Sequence, residues 1–125
     1  VEALVKEKSP RVVMLGWTAT GMDMAAWLSA RLDKPCIAYA KDLCIENNSL
    51  VVNSQVYGGK MLAEVAHDGD MAIVACLAGS FPAEAGQGST AVTTIASPVS
   101  LDDLKVKFPD PTCAHSHRFS RRTNG

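Results

Sequence analysis

Apolar and polar residues alternate along the first two thirds of this chain in blocks of strand and helix length. Residues 1–8 place Val1, Leu4 and Val5 among charges, the tail of an amphipathic helix that Ser9-Pro10 stops. Residues 11–15 then form a continuous apolar run, as expected of a central strand covered on both faces. Residues 16–21 are small or hydroxyl-bearing, and Thr20 with Asp23 makes a Thr-x-x-Asp start to a helix. Met24, Ala25, Trp27, Leu28 and Leu32 supply the buried stripe of that helix, and Asp33-Lys34-Pro35 ends it. Residues 36–40 read as a second short strand.

The pattern turns polar over residues 41–48, with Glu46-Asn47-Asn48 as a turn signal. Leu50-Val51-Val52 begins a strand or hairpin arm. Tyr57-Gly58-Gly59 breaks it and leads into a short helix expected over residues 60–67. Asp68-Gly69-Asp70 is a further turn, and residues 71–77 are a third strand, apolar on both faces. Glycines and Pro82 mark a loop before a β-rich run at residues 90–96. Residues 101–108 suit an edge strand or a loop, and residues 109–125 an extended tail. Strands alternating with helices predict an α/β domain over residues 1–108. Its sheet is expected to be mostly parallel and flanked by helices, in the three-layer, Rossmann-like or adenine-nucleotide-hydrolase-like manner.

Composition narrows the function classes. At 125 residues the chain is about one domain, 47% hydrophobic and 20% charged, with a net charge of -1. Such balance argues against a general binder of nucleic acid or membrane surfaces. No apolar run approaches the ~18 residues that span a bilayer. A secretory leader pattern is missing too, so a cytoplasmic location is expected. Cys36, Cys44, Cys76 and Cys113 are irregularly spaced without a Cys-x-x-Cys pair, and read as buried or spectator thiols.

Candidate chemistry is thin. Gly16, Thr18, Thr20 and Gly21 form the one loop placed where open α/β sheets bind ligands, and they are the cofactor-binding candidates. The loop is neither a dinucleotide fingerprint nor a Walker loop, because Thr18 replaces the second glycine and Met22-Asp23 follows Gly21. A structural turn with a self-capped helix is the favoured reading of it. Tyr57-Gly58-Gly59-Lys60 reads as a tight turn. Cys113, His115 and His117 carry zinc-ligand chemistry in a polar tail, with His67 the sole other histidine, so no metal site is assigned. Ser80 and Ser89 lack a nucleophile elbow, and the adjacent Asp102 and Asp103 point apart. No self-sufficient active site emerges, so the chain reads as a component without catalytic residues of its own.

Residues 9–82 resemble the N-terminal domain of the electron-transfer flavoprotein alpha subunit. The resemblance rests on Pro10, the strand 12–15, Gly16, Gly21 and Asp23, then Ala30-Arg31-Leu32. It continues through the strand 36–40, a hairpin over 43–55, Tyr57-Gly58-Gly59, the strand 71–77 and Gly79-Ser80-Phe81. Ser54 and Leu77 stand where the family often has arginine. The resemblance implies a scaffold domain that packs on the beta subunit as a heterodimer and supports an FAD domain during electron transfer from dehydrogenases. FAD is implied through a domain this chain lacks. The family's first strand and helix would precede Val1, which suggests a truncated sequence, with the beta subunit or self-association covering what is left open. The alternative is a stand-alone nucleotide-binding module of the universal-stress-like type.

Overall fold

A computed structural model describes residues 1–100 together with Asp102 and Lys105. Residues 1–89 form one compact unit. Its elements are α1 (Glu2–Lys8), β1 (Val12–Gly16), α2 (Ala19–Leu32), β2 (Cys36–Glu46), β3 (Ser49–Val56), β4 (Met61–His67) and β5 (Ala72–Cys76), with a 3-10 turn at Tyr57–Gly59.

The sheet order is β1-β5-β2-β3-β4. β5 pairs parallel with both β1 and β2, while β2, β3 and β4 form an antiparallel meander. The fold is α/β and Rossmann-like, with a mixed sheet. The last strand among the described residues thus lies between the first two. That placement corrects the expectation for residues 11–15: β1 is an edge strand, and its Met14 is 51% exposed. β5 takes the central position and buries Ala72, Ile73, Val74 and Ala75 completely, which is why its run is apolar on both faces.

Each face of β5 has its own cover. On one face Ile73 and Ala75 pack with Val5 of α1 and with Ala25 and Leu28 of α2. On the other, Ala72 and Val74 share a core with Ile37, Ala40, Leu50 and Val52. No helix covers this second face among the described residues; the meander does. Arg11, at the threshold of β1, donates from one guanidinium nitrogen to Asn48 Oδ1 at 2.8 Å and from another to the Asn48 carbonyl. Asn48 lies in the turn after β2, so β2 must run up beside β5, bend, and return along the sheet face. The bend falls at residues 39–42, where both pairings slip register and Tyr39 has φ 55°. The layers are therefore two helices, a parallel ribbon, and an antiparallel ribbon folded over it.

Several local expectations change. Residues 41–46 continue β2 as strand, and the polar character there belongs to its exposed side. Asn47 and Asn48 both have positive φ and close a two-residue hairpin. The helix expected over residues 60–67 is β4: Ala63, Val65 and His67 are half-buried, while Leu62, Glu64 and Ala66 are exposed. Residues 90–96 carry no strand, and Val92 is 96% exposed. Trp27, expected in the buried stripe of α2, is 52% exposed, because Ala25 and Leu28 make the contact with β5. The expectations for residues 101–108 and 109–125 fall outside the described residues, apart from Asp102 and Lys105.

Candidate functional site

The carboxyl ends of β1, β5 and β2 meet at one edge of the parallel ribbon, and the loop at residues 16–21 stands there. Trp17 N–H donates to the Cys76 carbonyl at 2.8 Å, and Leu77 N–H to the Ala40 carbonyl at 2.8 Å. These bonds extend the ladder past the strand ends and tie the edge together. The Trp17 ring lies tilted against Tyr39, with centroids 4.3 Å apart. Gly79, at φ 77°, sits in the turn that Ser80 N–H closes on the Leu77 carbonyl.

Part of the loop's hydrogen bonding is internal. Thr18, not Thr20, is the N-cap of α2: its Oγ1 accepts from Gly21 N–H at 3.1 Å. Thr18 N–H donates to the Gly16 carbonyl, and Met22 N–H to the Thr18 carbonyl, each at 2.8 Å. Thr20 and Asp23 lie inside α2, so the expected Thr20–Asp23 capping pair is not formed. Only the first-turn N–H groups of Ala19 and Thr20 remain for an outside acceptor. A Cβ on Gly21 would stand 1.9 Å from the Gly16 carbonyl oxygen. The glycine is there so that the helix start can press against the strand end. A flavin or nucleotide phosphate needs a cradle of free donors, and Gly16, Thr18, Thr20 and Gly21 do not fit one.

Other chemistry is dispersed. Partial burial pushes the thiols of Cys36 and Cys76 up from their usual range. Cys44 is raised mainly by its contact with Glu46, 3.4 Å away, and by the charges of Asp42 and Glu64. All three are free cysteines held toward the thiol form, which makes them poor nucleophiles. Cys36 is exposed, not buried as its strand setting suggested, and Cys44 is exposed as well. His67 bonds the Met71 carbonyl at 3.1 Å in the turn before β5. Cys113, His115 and His117 lie outside the described residues.

A cleft of about 280 Å³ opens at the opposite, amino edge between α1, the end of α2 and the turn before β5. Val5, Leu32 and Met71 line it, with Lys6 and Lys34 at its rim. Both amines are engaged, Lys6 with Glu2 and Lys34 with Asp70, each at 2.7 Å. Sequence reasoning missed this cleft, since nothing in local spacing brings residues 5, 34 and 70 together.

The fold is an α/β domain, and among the described residues no group of three or more His, Cys, Asp or Glu side chains converges. The chain is a member of the electron transfer flavoprotein family: the model of the electron transfer flavoprotein domain matches residues 1–100. It is also 26% identical over 105 residues to the electron transfer flavoprotein subunit alpha of Bacillus subtilis (strain 168). That alignment covers 84% of this chain and 32% of the relative, so the chain spans about a third of the protein it matches. The alpha-subunit resemblance of residues 9–82 agrees with both. Among the described residues, no helix is long and apolar enough to cross a membrane.

Proposed function

We propose that the chain is a scaffold domain of an electron-transfer flavoprotein alpha subunit. In this reading it packs on the beta subunit as a heterodimer and supports the FAD-bearing domain during electron transfer from dehydrogenases, in the cytoplasm. The observation that carries it is the family match over residues 1–100, which takes in every element of the sheet. In this reading FAD belongs to a part of the alpha subunit outside this chain, and the loop at residues 16–21 would offer a ligand only the N–H groups of Ala19 and Thr20. Residues 1–108 are the folded scaffold in this reading, and residues 109–125 a tail. Co-expression with a cognate beta subunit is the test. The chain should co-elute with it on size exclusion; separate elution, where an intact alpha subunit binds, would sink the proposal.

The alternative is a stand-alone nucleotide module using Gly16, Thr18, Thr20 and Gly21, which would leave the phosphate only the N–H groups of Ala19 and Thr20. Titration calorimetry with ATP, AMP and FAD separates the two readings. Flat traces fit the scaffold, and a saturable heat removed by Thr18→Ala would favour the nucleotide module.

A further inference from the structure

Helix α2 presents one face to the core and leaves the opposite face without a partner among the described residues. That outer face carries Ala19, Asp23, Ala26, Trp27, Ala30 and Arg31, all exposed. We propose that it is a self-complementary docking surface for a second copy of this chain, with two α2 helices packed antiparallel about a two-fold axis near Trp27.

Three features point to a second copy. The charges on the face are opposite and symmetrically placed: Asp23 and Arg31 lie four residues either side of Trp27, each about 6 Å along the helix axis. Reversing one helix against the other sets Asp23 of each copy level with Arg31 of its partner, forming two ion pairs from one contact. Asp23 is open to such a pair, having no ion-pair partner among the described residues. Arg31 would have to turn from its two 3.4 Å contacts with Glu2 to make it. Second, Ala26 and Ala30 leave a shallow depression beside Trp27, so helix axes can approach to about 8–10 Å and each indole can seat over the other copy's alanines. Third, the indole is already fixed: the Arg31 guanidinium carbon lies 5.3 Å from the Trp27 ring centroid. A pre-positioned, half-exposed tryptophan is the kind of anchor that concentrates interface energy.

One helix pair buries less than the roughly 1,200 Å² of a stable interface, so the dimer is weak and reversible, with a dissociation constant on the order of 100 µM. The proposal rests on α2 alone and is independent of whether a beta subunit binds. Sedimentation equilibrium of the 125-residue chain, at concentrations bracketing that constant, should show a monomer–dimer equilibrium. The Trp27 emission should move to the blue as dimer accumulates. Ala26→Arg and Trp27→Ala should each leave a folded monomer by circular dichroism. Asp23→Arg should weaken the dimer about tenfold or more, by setting like charges together. The double reversal Asp23→Arg with Arg31→Asp should bind more tightly than Asp23→Arg alone, recovering the ion pairs but not the Arg31–Trp27 contact. A monomer throughout the range would overturn the proposal. So would a dimer indifferent to Ala26→Arg and Trp27→Ala, or a folded double reversal that binds no more tightly than Asp23→Arg.

Discussion

At the scale of single residues, Gly21 shows how a position that looks like ligand chemistry is packing. A glycine at the third position of a helix ordinarily costs stability, and alanine there is worth up to about 1 kcal/mol. Here the added methyl carbon would overlap the Gly16 carbonyl at 1.9 Å. The sign therefore reverses. Gly21→Ala is expected to lower stability by about 2–3 kcal/mol, measured by urea denaturation, because strand end and helix start must separate to admit it. A stabilised Gly21→Ala would mean that the two backbones are not pressed together. Charged residues act on a smaller scale. Asp70 is held below the usual carboxylate range, chiefly by Lys34, and Glu2 likewise by Lys6. Depressed folded values stabilise the protein above the ordinary carboxylate pKa of about 4, and that contribution is lost as pH falls through the folded values. The thermal midpoint should therefore drop slightly below about pH 4. Asp70→Asn should flatten part of that decline, while an unchanged acid limb in Asp70→Asn would dismiss the Lys34 pair as a contributor.

At the scale of elements, strand position decides how much a buried charge costs. Ile73, at the centre of β5, is fully buried between helices and neighbouring strands, whereas Val13 on the edge strand β1 is only half-buried. Ile73→Asp should abolish cooperative thermal unfolding, while Val13→Asp should fold with a lowered midpoint. Equal losses for the two would contradict the strand order. The sequence made β5 legible as a two-sided buried strand, but not where it goes. Run composition reports how many faces are covered, and residues 11–15 look as apolar as residues 71–77. β4 was misread for a related reason. Met61-Leu62-Ala63 are good helix formers, and the alternation that marks the strand starts only at Ala63. Its pairing with β3 overrides local preference. Helical spacing puts Trp27 in one stripe with Met24, Leu28 and Leu32, but Ala25 and Leu28 already fill the contact with β5.

At the scale of the whole molecule, strand order and chain order disagree, and that disagreement constrains how the protein is made. β1 and β2 bond to β5 and not to each other, and among the described strands β5 is the last to be synthesised. Until residue 76 has left the ribosome, the helices have no Ile73 or Ala75 to close on, and the meander has no Ala72 or Val74 beneath it. Before Met71 emerges, the four earlier strands and two helices among the described residues have both cores open. Folding is thereby deferred to a late, long-range event, in which one five-residue segment enters a waiting gap and completes both faces at once.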